Sequence, residues 1–174
     1  MGSWTFDTAH SDVAFSIRHM VFAKVRGSFT RWSGTVVGDD NGALTALAAD
    51  IEIDSIDTRE AQRDAHLKSA DFFDAATHPT MRFQSTAVRG DTSGTFQVDG
   101  TLTLHGTTLP VTLAVEYTGG GKDPWGNTRR GYRATTRINR KDYGLNWNQA
   151  LELGGVLVGE QVDIELEIQL VHKA

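Results

Sequence analysis

Apolar residues fall on every second position through most of the chain. Val162, Ile164, Leu166, Ile168 and Leu170 share one parity, while Asp163, Glu165, Glu167 and Gln169 take the other. Successive side chains of a strand point to opposite faces, so this pattern predicts a strand with one buried and one wet face. Val13, Phe15 and Ile17 alternate in the same way with Ala14, Ser16 and Arg18, and Met81 and Phe83 with Arg82 and Gln84. Phe96, Val98, Leu102 and Leu104 share a parity, as do Val111, Leu113, Val115 and Tyr117. Turn signals separate the runs. Asp40-Asn41-Gly42 divides the Val25–Val37 segment from Leu44–Ile53, and Gly90-Asp91-Thr92-Ser93-Gly94 and His105-Gly106-Thr107 mark two more reversals. The pattern predicts eight or nine strands joined mostly by short hairpins. An up-and-down sheet of that size with one apolar face closes into an antiparallel barrel, which removes its edges. Small residues at interior parity (Ala49, Ser85, Ala87 and Ala134) sit beside large ones. They favour room for a small ligand over an interior filled by side chains.

One segment breaks the alternation. Asp57-Thr58-Arg59-Glu60 has the form of a capping box, and Ala61 to Ser69 continue in good helix formers with Asp64 and Lys68 spaced as an i,i+4 pair. Pro79 biases His78 away from the helical region, so the helix stops before it. The pattern therefore predicts one helix inserted between the fourth and fifth strands. A second aperiodic stretch runs from Tyr143 to Gly159 and holds Trp147. Aromatic and flexible apolar residues gather in such irregular places: Met20, Phe22, Phe72, Phe73 and Trp147, a set suited to the rim of a barrel mouth.

The chain has 174 residues, which fits one domain spanning 1–174 and is long enough to bury a core without external staples. Lysine and arginine total 17 against 22 acidic residues, a net charge of −5, so no nucleic-acid partner is expected. The basic cluster Arg129, Arg130, Arg133, Arg137, Arg140 and Lys141 reads as a solvated outer strand face. No cysteine is present, which excludes disulfides and thiolate chemistry. No apolar run reaches the length of a transmembrane segment. Met1 to Asp7 carry no secretory signal, so the expected location is cytoplasmic, or periplasmic or secreted if a leader has been removed.

Enzyme signatures are weak. Asp64 and His66 lie two residues apart on the helix, where side chains diverge by about 200°. No Gly-x-Ser-x-Gly elbow supplies a nucleophile. Six histidines are scattered with no metal-binding spacing. A site from His10, His66 and His105 would depend wholly on the fold, so neither metal nor cofactor is expected. The acidic triplets Asp50, Glu52, Asp54 and Asp163, Glu165, Glu167 alternate with apolar residues, as on a wet outer face.

The chain resembles the YceI family of lipocalin-like, polyisoprenoid-binding proteins along nearly its whole length. The resemblance rests on ordered stretches: Asp7-x-x-His10-Ser11-x-Val13-x-Phe15-x-Ile17-x-His19, Val25-x-Gly27-x-Phe29 and Ser55-Ile56-Asp57-Thr58. Further on come Arg63-Asp64-x-His66-Leu67-x-Ser69-x-Asp71-Phe72-Phe73, Gly100-x-Leu102-Thr103-Leu104-x-Gly106 and Arg140-x-Asp142-Tyr143-Gly144-Leu145. It implies an all-β, lipocalin-like eight-stranded antiparallel β-barrel with one inserted α-helix. It also implies a long-chain isoprenoid or fatty lipid as ligand, carried, stored or protected without catalysis, and a homodimer. The residues expected against such a ligand are Phe15, Ile17, Val25, Leu67, Met81, Phe83, Val98, Leu102, Leu113 and Ile138, with His19, Met20, Phe22, Phe72, Phe73 and Trp147 about the mouth. His19, Arg63, His66 and Trp147 are placed to meet a head group. Two other readings stand beside this one: an enzyme acting on such a lipid through His66 or His19 with Asp64, and a ligand-free structural barrel.

Overall fold

Period-two alternation gives eleven strand segments in the computed structural model, which describes residues 4–39, 42–149, 151 and 157–173. They are β1 (Trp4–Phe6), β2 (Asp12–His19), β3 (Ala23–Phe29), β4 (Trp32–Gly38), β5 (Leu44–Glu52) and β6 (Ile56–Asp57). After the helix α1 (Ala61–Lys68) come β7 (Thr80–Gly90), β8 (Thr95–Leu104), β9 (Thr107–Lys122), β10 (Thr128–Asn139) and β11 (Val158–His172). All pairings are antiparallel, and β11 meets both β10 and the first strands, which closes the sheet.

The barrel has eight staves because two of them are broken. β1 and β2 lie end to end along β11, with Trp4–Phe6 opposite Leu170–His172 and Val13–Ile17 opposite Val162–Leu166. Asp7 makes the break: its carboxylate accepts the Ala9 and His10 amides and winds Thr8–His10 into one 3-10 turn. Its own amide still donates to the Gln169 carbonyl, so the kink stays stitched to β11. β3 and β4 form the second broken stave; β3 pairs with β2 and β6, and β4 with β5 and β1.

The helix differs from its predicted position and cap. It follows the third stave, not the fourth, because Val25–Val37 counts as one stave and β6 is only a two-residue patch on β3. Glu60, not Asp57, is the N-cap, accepting the Arg63 amide; Asp57 instead accepts from Arg59, whose φ of 64° ends the extended run. Asp64 turns away from Lys68 and accepts both the amide and the hydroxyl of Thr58, at 2.9 and 2.5 Å.

Interior parity follows the sequence pattern with one shift. A bulge between Ser85 and Ala87 moves Ala87 to the exposed outer face and returns Val88 to the inside opposite Val98. One inserted residue flips every following side chain, which strict alternation misses. The acidic triplets do face outward: Asp50 pairs with Arg82 at 2.8 Å and Asp163 with Arg137 at 2.6 Å across neighbouring strands. Of the Asp40-Asn41-Gly42 turn, Asp40 and Asn41 lie outside the described residues; Gly42 has φ of 79° and donates to the Asp39 carbonyl. Most of the aperiodic stretch between Gln149 and Leu157 lies outside them too.

Candidate functional site

The strands enclose an apolar interior that their own side chains do not fill. One cavity, of about 140 Å³, runs from the middle of the barrel toward the end where β11 finishes. A second, of about 110 Å³, lies beneath the helix. Val13, Met81 and Ile164 line both, so the two cavities adjoin end to end at these residues. Among the described residues, the first cavity is walled by aliphatic and aromatic side chains except for Thr136, and the second except for Arg140. Protein interiors are normally packed with few voids larger than a water molecule. An apolar void offers water no hydrogen-bond partners and stays dry.

The two ends of the barrel are closed differently. At the far end Trp4 packs beside Val36, Leu44, Tyr132 and Leu170, with the Arg130 guanidinium 4.9 Å from its ring centre and the His172 ring 5.2 Å away. Arg130 also donates to the Gly42 carbonyl. At the helix end the cover is built from Leu67 of α1 and the Phe72-Phe73 pair that follows it. Phe73 meets Phe29 edge to face at 6.1 Å, and Phe29 meets Phe15 at 5.6 Å, which ties the cover to β2 and β3. Phe72 packs on Trp147 at 5.3 Å and on His66 at 5.1 Å.

Arg140 underlies this cover and is 2% exposed. Its guanidinium donates to the carbonyls of Leu145, Trp147, Val158 and Gly159, and no carboxylate lies within ion-pair distance among the described residues. Burial lowers its pKa from the ordinary value, and the charge of Glu160 opposes that shift. The segment after β10 is thus wrapped around one buried cation. The expectation of a solvated basic face fails here, and holds for Arg133, Arg137 and Lys141, which pair with Glu165, Asp163 and Glu160. Arg140 had a legible signal: it shares the parity of Tyr132, Ala134, Thr136 and Ile138, all of which line the interior.

A YceI-like domain model matches residues 4–170. The chain belongs to the YceI family. A family relative, a UPF0312 protein of Staphylococcus aureus strain N315, is 41% identical over 167 residues, covering 95% of each chain. A YCEI protein of Campylobacter jejuni superposes over the full length of both chains with a TM-score of 0.78 at 27% identity. A domain from Saccharophagus degradans described as polyisoprenoid binding matches over both full lengths with a TM-score of 0.68 at 15% identity. That last likeness is one of fold.

The YceI barrel distributes the sequence-derived residues unevenly. Phe83, Val98, Leu102 and Leu113 line the first cavity, Phe15, Ile17, Leu67, Phe72, Phe73 and Ile138 the second, and Met81 both. Val25 and His19 lie on the β2–β3 hairpin without reaching either cavity. Met20 and Phe22, at the hairpin tip, are 41% and 81% exposed and line neither cavity. The turn holds Met20 and Val21 at positive φ, and the Met20 amide donates to the Leu157 carbonyl at 2.7 Å. Trp147 stands behind Phe72 in the cover. Arg63 is spent on the Thr58 hydroxyl and carbonyl. His66 contacts Asp71 at 2.9 Å, so it does not pair with Asp64. Sequence reasoning also left out Trp32, Tyr132 and Leu170 from the first cavity, although their parity marked Leu170 as interior.

Proposed function

We propose that the protein holds the tail of a long-chain isoprenoid-type lipid in the barrel interior and acts as a non-catalytic carrier or reservoir. The observation that carries this reading is the pair of adjoining apolar cavities, walled by aliphatic and aromatic side chains apart from Thr136 and Arg140. From Val158 to Leu170, β11 spans about 40 Å at 3.3 Å per residue, or about 30 Å along the axis of a tilted barrel. That length suits a tail of on the order of 20 carbons. At about 0.8 kcal/mol per buried CH₂, such a tail gains over ten kcal/mol before ordering costs. No polar contact along the tail is needed for that gain. The polyisoprenoid-binding description of the Saccharophagus degradans neighbour supports the ligand class. The tail enters from the helix end, whose cover is side-chain packing alone, whereas at the far end Trp4 is paired with β11 and held under Arg130. The head group then rests near His66 and Asp71, outside the aromatic cover.

The test is native mass spectrometry of freshly purified protein, with mass analysis of its organic extract and titration of delipidated protein with a C20 polyprenol. A discrete adduct released on denaturation, or a saturable change in Trp32 emission, is expected. Bare protein in repeated preparations together with no response to polyprenol or to a fatty acid would overturn the reading in favour of a ligand-free barrel.

A further inference from the structure

We propose that Asp74, His78 and His105 form a binding site for a divalent cation of the zinc class at the rim of the helix end. One ligand atom from each lies within 4.8 Å of the other two, and all three residues are half-buried. The chain reaches this arrangement from two sides. Asp74 and His78 belong to the segment after the cover, where the Thr77 and His78 amides both donate to the Asp74 carbonyl and wind the two side chains onto one side. His105 comes from the two-residue turn joining β8 to β9, in which it and Gly106 both have positive φ.

The histidines are prepared for coordination. Nδ1 of His105 lies 3.0 Å from the Tyr143 carbonyl. A carbonyl can only accept, so Nδ1 carries the proton and Nε2 presents its lone pair. Metal-ligating histidines are oriented by such a bond from their second nitrogen. The neighbouring backbone is cut to fit both rings. A Cβ on Gly106 would lie 2.9 Å from His78 Cε1, and one on Gly144 would lie 3.2 Å from His105 Nδ1.

These groups are also left over from other work. His10 and His66 each contact a carboxylate directly, Asp7 at 2.8 Å and Asp71 at 2.9 Å. Neither the Asp74 carboxylate nor the His78 imidazole takes a side-chain hydrogen bond among the described residues. Two imidazoles and one carboxylate suit zinc or a neighbouring first-row cation, with a fourth position for water. Bonds of about 2.0–2.2 Å set tetrahedral donors about 3.4 Å apart, so side-chain rotation alone brings these three in. The bound ion would tie the segment carrying the cover to the β8–β9 turn.

The experiment uses the full chain stripped with a chelator, then titrated with Zn²⁺ by calorimetry and with Co²⁺ by visible absorption. One ion per chain is expected, with the intense d–d bands of a tetrahedral site. Asp74→Asn, His78→Ala and His105→Asn should each weaken binding at least tenfold, while His10→Ala changes nothing. Asparagine is chosen at 74 and 105 because both have positive φ, 49° and 52°, which asparagine tolerates. A hundredfold excess of Zn²⁺ over Kd should raise Tm by about 5–10 °C in the wild type. Histidine NMR signals of the wild type give a readout that needs no variant: those of His78 and His105 should shift together on adding Zn²⁺. No binding at millimolar Zn²⁺, binding unchanged in all three site variants, or shifts confined to other histidines would each overturn the proposal.

Discussion

The two ends of this barrel are closed by different physics. At the far end β1 and β10 stay paired with β11 to its last residue, with Trp4 and Thr128 both registered on His172, whereas the β5–β7 pairing stops at Ala48 and Gln84. On the β11 side, moving Trp4 aside means breaking strand pairing. At the helix end the closure is a short helix with no fully buried residue, followed by two phenylalanines laid over the opening. Side-chain packing can part and re-form without disturbing the strand ladder, and elements with few buried contacts open at low free energy. The difference teaches how a closed barrel becomes a container with one mouth. Its walls stay continuous, and the exchangeable element is added from outside the sheet.

The largest test of that contrast is Arg140→Met. The variant removes the cation that satisfies four carbonyls beneath the cover and should cost about 3–5 kcal/mol in denaturant unfolding, since breaking a buried polar network strands its partners. A loss below 1 kcal/mol would mean that the segment after β10 holds itself in place. Ala134→Trp, in the wall of the first cavity, should cost about 1–3 kcal/mol through overpacking and reduce polyprenol binding at least tenfold. Undiminished binding in that variant would show that the tail does not reach the first cavity.

Leu67→Ala bears on the mouth alone. It should cost about 1 kcal/mol or less, because the site is only half-buried, while speeding release of a bound polyprenol in stopped-flow exchange. Equal release rates in variant and wild type would place the exchange route elsewhere.

The far end should show a distinct acid response. Asp7 has its pKa lowered, first by the hydrogen bond from Arg129, against the opposing effect of burial, with His10 adding to the lowering. Its folded carboxyl therefore binds protons less readily than the unfolded one. The stabilisation is present above the ordinary carboxylate range, near pH 4, and is lost as pH falls through the lower folded value. Thermal unfolding between pH 6 and pH 2 should show that decline, and Arg129→Leu should flatten it. The smallest effect is expected from Phe22→Ser at the exposed hairpin tip. It should stay within about 0.5 kcal/mol of wild type and leave polyprenol affinity unchanged in solution.

Much of the wall was legible before folding because a strand converts sequence parity directly into inside and outside. Phe83, Val98, Leu102 and Leu113 needed only alternation to be placed on the cavity side. Parity failed where a local irregularity reset it, at Ala87 after the bulge. It also gives no guidance where a residue leaves the strand frame: Met20 and Phe22 have the composition of a rim but sit exposed on a turn and line neither cavity. Arg140 was misplaced for another reason. Charge argues for exposure although the parity of β10 points inward, and four carbonyls, two from the segment after β10 and two from the irregular start of β11, make that burial tolerable.

The sequence by itself determined the staves, their antiparallel order and the apolar character of the interior, because these follow from contacts and periods local to the chain. Tertiary structure alone decided how each end is closed, how Arg140 is satisfied and which histidines meet. Those outcomes depend on residues far apart in sequence, such as Arg130 and Gly42, or His78 and His105, that closure of the barrel brings together. No local period encodes such a distance, since it is set by the number, tilt and register of all eight staves at once.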